Sequence, residues 1–145
     1  MATIAAICIS EKRGTQKHPV PEAQLRCDCG IVGDAHAGNW HRQVSILSQY
    51  SVARMQEKLS NFQLKPGDFA ENILIDDMEV KSLPIGQQLK LGAQAVGEVT
   101  QIGKACHNDC IIRQTAGDCV MPREGVFLKI IQPGTIHTGD PVELI

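Results

Sequence analysis

The chain has 145 residues and a formal net charge of −2, a length that suits one ordinary domain with a single hydrophobic core. Its 14 Lys and Arg nearly balance 16 Asp and Glu, so no overall field draws the protein to nucleic acid or to an anionic membrane. No stretch approaches the ~20 apolar residues that a membrane helix needs. Neither nucleic acid nor a membrane is therefore expected as a partner.

Six cysteines could form a disulfide framework, but the sequence favours a reducing compartment. The apolar run in residues 1–10 has no basic region before it and no small-residue cleavage site after it. We therefore expect a cytoplasmic protein, in which clustered cysteines indicate metal or redox chemistry more often than disulfides.

The order of apolar and turn residues predicts a mostly β protein of the α+β type. Residues 3–10 form a short β-branched run typical of a buried strand, whereas residues 15–40 have little periodicity and are typical of a long loop that is functional or disordered. Residues 44–47 predict a second strand, after which Ser48 can cap a helix that extends to about Ser60. Further strands are expected at 72–75, 88–91, 93–102, 125–131 and 142–145. Many short strands with one clear helix predict a closed or nearly closed β-barrel with peripheral helices, in a single domain spanning residues 1–145.

The segment Gly33–Val44 is the first that carries chemistry. It places Asp34, His36 and Arg42 within a glycine-containing loop that leads into a strand. A guanidinium suits phosphate or carboxylate, and glycines allow backbone amides to approach a ligand closely. The alternative is a surface turn in which Asp34 makes an Asx-turn and Arg42 is solvated.

Glu71 and Asn72 stand at the start of the apolar strand that follows Pro66–Gly67, where a rigid element could orient them toward a ligand. The alternative is an ordinary turn and strand, with Asn72 bonded to the local backbone.

The segment that indicates reactive chemistry most specifically is Gly103–Cys110, which begins where the strand predicted at 93–102 ends. Lys104 and His107 lie beside Cys106 and would stabilise its thiolate, the form of cysteine that attacks electrophiles and binds soft metals. Arg113 and Arg123 can add positive charge. Cys106 is therefore predicted to be the reactive residue.

A zinc site is the main alternative interpretation of the cysteines in this part of the chain. Cys106, His107, Cys110 and Cys119 could all be ligands, although their spacing lacks the repeated Cys-x2-Cys pairs of structural zinc sites. A second alternative combines Cys27 and Cys29 with His36 and His41. Cys8 lies within an apolar strand and is predicted to be a core residue.

Taken together, these blocks resemble the MOSC family, the domain related to the C-terminal part of molybdenum cofactor sulfurases. The resemblance is carried by five segments, Gly33–Val44, Phe69–Ile73, Leu83–Gly92, Val99–Cys106 and Gly117–Phe127. The last of these is similar to the compact, stand-alone bacterial branch of the family.

The resemblance implies a β-barrel with peripheral helices that handles the molybdenum cofactor. It places Cys106 at the family's characteristic cysteine, which is proposed to bind the metal or to carry sulfur as a persulfide. In this hypothesis Lys104 and His107 keep Cys106 ionised. The cofactor's phosphate and pterin ring are held by Asp34, His36, Arg42, Glu71, Asn72, Arg113 and Arg123.

Sulfurases mobilise sulfur with a separate pyridoxal-phosphate domain, for which this chain has neither the length nor the βαβ pattern. The protein would therefore receive sulfur from a donor protein, and pyridoxal phosphate is not expected without a partner domain. A molybdoenzyme or a cofactor-biosynthesis protein is a further partner that the resemblance implies. Two alternatives stay open at this point, a cofactor carrier or sensor without catalysis and a small zinc-binding module.

Overall fold

The computed structural model describes residues 1–13, 15–60, 62–103 and 124–145. The strands within these ranges are β1 (Thr3–Ile9), β2 (His18–Val20), β3 (Glu22–Arg26), β4 (Gly30–Ile31), β5 (Val44–Ser48), β6 (Ile73–Asp76), β7 (Gln88–Leu91), β8 (Ala95–Ile102), β9 (Val126–Gln132), β10 (Gly134–His137) and β11 (Val142–Leu144). They are joined by one α-helix, α1 (Gln49–Gln56), and one 3-10 turn (Val80–Ser82) in the described part of the chain. The predicted mostly β class is confirmed.

Eight strands form one sheet in the order β11-β7-β8-β9-β5-β6-β1-β2, and β10-β3-β4 form a second. The pairings are antiparallel except between β5 and β6, which are parallel and joined through α1. A parallel pair needs such a crossover because its connection must return along the full length of a strand.

The predicted barrel is not confirmed. Backbone hydrogen bonds do join β1 to the residues that lead into β11, from Ile4 N to Asp140 O at 2.8 Å and from Val142 N to Ala2 O at 3.0 Å. One isolated bridge pairs Thr3 with Pro141. No ladder among the described strands closes the eight-stranded sheet, which keeps β11 and β2 at its edges.

The strands at the centre of the large sheet are buried on both faces, which explains their continuous apolar runs. Ile46 and Ile73 belong to the main core, which also includes side chains of the small sheet. Leu47 and Leu74 point the opposite way and pack with Met55 of α1 in a second core. The helix thus covers one face of the large sheet and the small sheet covers the other.

The helix begins as predicted but ends earlier. The Ser48 hydroxyl accepts a hydrogen bond from Tyr50 N at 3.1 Å, which caps the first turn. At the other end the Gln56 amide donates to the carbonyls of Leu59 and Phe62 and accepts from Leu64 N. The chain thus leaves the helical path before Ser60, and these bonds hold the segment that follows the helix.

Four short strands, β2, β3, β4 and β10, were not predicted. β2 contains Pro19, and β3 follows Pro21 directly, so neither shows the apolar alternation of a strand. β3 forms because it pairs with β10, more than a hundred residues later in the chain. Residues 15–40 are therefore less loop-like than their composition indicates.

No helix in the described ranges is both long enough and apolar enough to cross a lipid bilayer.

Candidate functional site

Asp34 lies after β4 and is buried rather than exposed in a surface turn. Its Oδ1 accepts hydrogen bonds from Lys17 Nζ at 2.7 Å and from Ser10 N at 3.1 Å, and its Oδ2 accepts from His36 N at 3.1 Å. The bond to His36 N is the expected Asx-turn. Burial by itself would raise the pKa of Asp34, but the hydrogen bonds and the positive charge of Lys17 outweigh it and hold the pKa below its ordinary value.

Lys17 is the residue that sequence reasoning missed. The side chains of Lys17 and Asp34 are both fully buried, and Lys17 Nζ also lies 3.0 Å from Ser10 Oγ and 3.1 Å from His36 Nδ1. A lysine in a polar loop is normally solvated, and nothing in its neighbourhood along the chain indicates a buried ion pair. Only its partners, brought together by the fold, reveal its role.

Arg42 is partly buried between two aromatic rings. Its guanidinium carbon lies 4.7 Å from the centre of the Trp40 ring and 5.7 Å from that of Phe127, distances typical of cation–π contacts. The Trp40 ring is itself held by a 2.9 Å hydrogen bond from its Nε1 to His36 O, and Arg13 lies over it at 5.3 Å.

The Arg42 guanidinium makes no hydrogen bond to any part of the chain that the structure describes, and its Nε is a buried donor without a partner there. A buried donor that lacks an acceptor costs about 1–3 kcal/mol. The aromatic rings fix this guanidinium in place while its donors stay available, which is the condition for binding an anion.

Glu71 and Asn72 are buried and bond to the protein itself. Glu71 Oε2 accepts from Gly67 N at 2.9 Å and Oε1 from Phe69 N at 3.2 Å, while burial raises the pKa of this carboxyl to about 7. Asn72 Nδ2 donates to Cys8 O, and its Oδ1 accepts from Ser45 N, both at 3.0 Å. Their contact with a ligand stays a prediction, but their contacts within the chain account for their burial.

The thiols within the described ranges do not form a metal site. Cys27 Sγ contacts Ile131 O at 3.2 Å, and no group of three or more His, Cys, Asp or Glu side chains in these ranges could hold an ion. The grouping of Cys27 and Cys29 with His36 and His41 is thus not formed. Cys8 is a core residue as predicted, and burial raises the pKa of its thiol to about 12.

Five predicted site residues lie outside the described residues, namely Lys104, Cys106, His107, Arg113 and Arg123. The residues on either side of that segment are close together, since Gly103 N donates to Gly125 O at 2.6 Å. On the far side, the Glu124 carboxylate accepts from Ser51 Oγ at 2.7 Å and from the Arg54 guanidinium of α1. Burial alone would raise the pKa of Glu124, but these bonds outweigh it and the pKa is lowered.

The end of β8 also meets the Arg42 loop. His41 Nε2 lies 2.9 Å from Gln101 Oε1, and the Thr100 hydroxyl donates to His41 O. Phe127 of β9, which follows the same segment, stacks on Arg42. The described flanks of the cysteine segment therefore lie beside the loop that carries His36, His41 and Arg42.

Comparison with known proteins adds the family. The model of the MOSC domain matches residues 33–143, well over half of the chain. Comparison with curated proteins gives no match.

Solved structures resemble the chain in fold. It is similar to the YuaD protein from Bacillus subtilis, with a TM-score of 0.82 and 18% identity over 99% of this chain and 94% of that one. YiiM from Geobacillus stearothermophilus gives 0.74 and 16%, over 100% and 75%, and YiiM from Escherichia coli gives 0.69 and 18%, over 100% and 70%. The resemblance predicted from the sequence is confirmed, and the chain belongs to the MOSC domain family, which is associated with molybdenum cofactor sulfurases.

Proposed function

We propose that this chain, as a single MOSC domain spanning residues 1–145, binds the pterin–molybdenum cofactor and carries sulfur on Cys106. The observation that supports the proposal best is Arg42, a guanidinium fixed between Trp40 and Phe127 whose buried Nε has no acceptor in the described ranges. The cofactor supplies anionic phosphate oxygens for such a donor and a redox-active metal that suits soft sulfur ligands.

The fit of the cofactor rests on the donor set around the Arg42 loop. His36 contacts the buried Lys17–Asp34 ion pair, and Arg13, from a segment distant in the chain, lies over the same Trp40 ring as Arg42. This loop therefore gathers positive groups in a protein whose net charge is −2. A local cluster of this kind is what a neutral protein needs to bind an anion, because no overall field assists it.

Sulfur carriage is assigned to Cys106 on the strength of its neighbours along the chain. Lys104 and His107 favour its thiolate, and Arg113 and Arg123 complete the positive rim. The step needs no oxidant. The Cys106 thiolate attacks the terminal sulfur of a donor protein's persulfide, the sulfur–sulfur bond of the donor breaks, and the donor leaves as a thiolate while Cys106 becomes the persulfide. The donor, a sulfur-mobilising protein, is the partner that this function requires, and the acceptor would be a molybdoenzyme or its cofactor.

The cofactor part is tested by expressing the protein in a host that makes the cofactor and measuring molybdenum and pterin in the purified chain. Arg42→Ala should lower cofactor retention about tenfold or more, since one charge-assisted hydrogen bond is worth about 1.5–3 kcal/mol. Arg26→Ala, which removes an exposed guanidinium from β3, is the matched control and should retain cofactor. Full affinity in a protein that carries both Arg42→Ala and Cys106→Ser would reject the pocket.

The sulfur part is tested by intact-protein mass spectrometry after incubation with a persulfide donor. One added sulfur that dithiothreitol removes is expected, and Cys106→Ser should abolish it. An added sulfur that survives this substitution would assign the persulfide to another cysteine.

The second candidate is a cofactor carrier or sensor without sulfur chemistry. Arg42 supports it equally, because holding an anion requires the guanidinium and not the thiol. A protein that retains the cofactor fully after Cys106→Ser and never gains sulfur from the donor would decide for the carrier.

A further inference from the structure

We propose that Lys17 is a positioning residue that fixes His36 as an Nε2–H hydrogen-bond donor, so that His36 donates to an anionic oxygen of the ligand and does not bind metal or accept a proton. The ligand part of this inference rests on the proposed function. The geometric part rests on the Lys17–Asp34–His36 cluster alone.

The first step is the state of Lys17. Its ammonium has three donors and no acceptor, and three acceptors surround it, Asp34 Oδ1 at 2.7 Å, Ser10 Oγ at 3.0 Å and His36 Nδ1 at 3.1 Å. Each donor is therefore used. The side chains of Lys17 and Asp34 are fully buried, and a lysine in such a place keeps its charge only when a carboxylate neutralises it at hydrogen-bond distance.

The second step is the state of His36. Because the ammonium can only donate, the nitrogen that faces it must present a lone pair, so Nδ1 carries no proton. A doubly protonated ring would direct an N–H at the ammonium across 3.1 Å. Asp34 Oδ2 lies 3.9 Å from Nδ1, which is too far to accept a proton from it. A neutral imidazole without a proton on Nδ1 has one on Nε2.

The third step is what holds Lys17 in place. Its backbone N–H donates to Gly67 O at 2.9 Å, and a Cβ on Gly67 would lie 2.1 Å from Lys17 O. Glu71 in turn accepts from Gly67 N. The Pro66–Glu71 turn thus supports the backbone of Lys17, while the Asp34 loop neutralises its side chain. The Asp34 loop and the Pro66–Glu71 turn therefore converge on one lysine.

The consequence concerns the chemistry open to His36, whose side chain is 25% exposed. An imidazole with both nitrogens committed in this way offers no lone pair to a metal. It carries an N–H instead, which can donate to an anion and cannot accept. The anionic oxygen could belong to a phosphate or to a metal oxyanion, and the two share this chemistry.

The test is 15N nuclear magnetic resonance of the full chain labelled at histidine, with His36 assigned from the signals lost in His36→Gln. We expect a pyridine-type Nδ1 and a protonated Nε2 at neutral pH, with an Nε2 shift on addition of inorganic phosphate or of molybdate. The anion that shifts the Nε2 signal shows whether a phosphate or a metal oxyanion supplies the oxygen. A protonated Nδ1, or an Nε2 signal that neither anion moves, would overturn the proposal.

A variant pair tests the role of Lys17. Lys17→Met combined with Asp34→Asn removes both buried charges together and should let His36 populate both tautomers, with about tenfold weaker anion binding from the loss of one well-directed hydrogen bond. Lys12→Met, at an exposed lysine of the same segment, is the control. An unchanged tautomer in the double variant would refute the positioning role.

The outcomes of these experiments can be distinguished from the outcomes that test the proposed function. The wild-type spectrum alone decides the tautomer, so the inference stays testable even where the double variant does not fold. A chain that binds no molybdenum or pterin but shows the Nε2–H ring would reject the proposed function only. A chain that binds the cofactor with Nδ1 protonated would reject this inference only.

Discussion

Asn72 offers the sharpest prediction, because the structure gives it a role within the sheet. It directly precedes β6, the strand that lies between β5 and β1. Its side chain accepts from Ser45 N and donates to Cys8 O, each at 3.0 Å, and its backbone N–H and C=O also bond to these two residues. The amide thus extends the pairing of three strands one residue beyond the start of the central one.

Asn72→Ala leaves Ser45 N–H and Cys8 C=O without their partner. Each buried group left unpaired costs about 1–3 kcal/mol, so we expect the free energy of unfolding to fall by about 2–6 kcal/mol. That is a large part of the ~5–15 kcal/mol available to a domain. Urea denaturation, monitored by circular dichroism, measures this loss of stability as a lower midpoint, while the dependence of the free energy of unfolding on urea concentration stays unchanged.

The control for this loss is Asn39→Ala, at an exposed asparagine, which should change stability by no more than about 0.5 kcal/mol. Asn72→Asp keeps the acceptor, removes the donor and buries a charge, so it should be no more stable than Asn72→Ala. A loss below about 0.5 kcal/mol in Asn72→Ala, with weaker cofactor binding, would refute the structural role and assign Asn72 to the ligand.

Three further predictions concern stability. Because the pKa of buried Glu71 is raised to about 7 from its ordinary 4.5, the folded chain holds a proton that the unfolded chain has lost, and the free energy of unfolding should fall as the pH rises between these values. Glu71→Gln should flatten that dependence in urea titrations, and an unchanged slope would count against the carboxyl as its source. Gly67 and Gly33 both have φ of +91°, but only a Cβ on Gly67 would meet Lys17 O. Gly67→Ala should therefore lose at least about 1 kcal/mol more than Gly33→Ala in thermal unfolding, and equal losses would contradict the close approach. Glu124→Gln should cost about 1–3 kcal/mol at pH 7, with a difference that disappears as acid protonates the wild-type carboxyl, and equal stability at pH 7 would show that its bonds to α1 contribute nothing.

Local patterns predicted the elements that local forces build. The mainly apolar runs predicted β1, β5, β6 and β9, because a strand that is buried on both faces carries apolar residues on both. Ser48 predicted the start of α1 because an N-cap acts within one turn of chain. The sequence did not predict β2, β3, β4 and β10, because these strands are stabilised by pairing with other strands and not by their own composition.

The same distinction between local sequence and tertiary structure applies to the candidate site. The sequence by itself determined the family and the residue types that can meet an anion, among them Arg42 and His36, because chemistry depends on which side chains are present. Only the tertiary structure decided that Arg42 contacts two aromatic rings. It also decided that Lys17 is buried against Asp34, 17 positions away, and that Asn72 bonds to Cys8, 64 positions away. Such partners are set by the order of strands in the sheet, and no pattern along the chain carries that order.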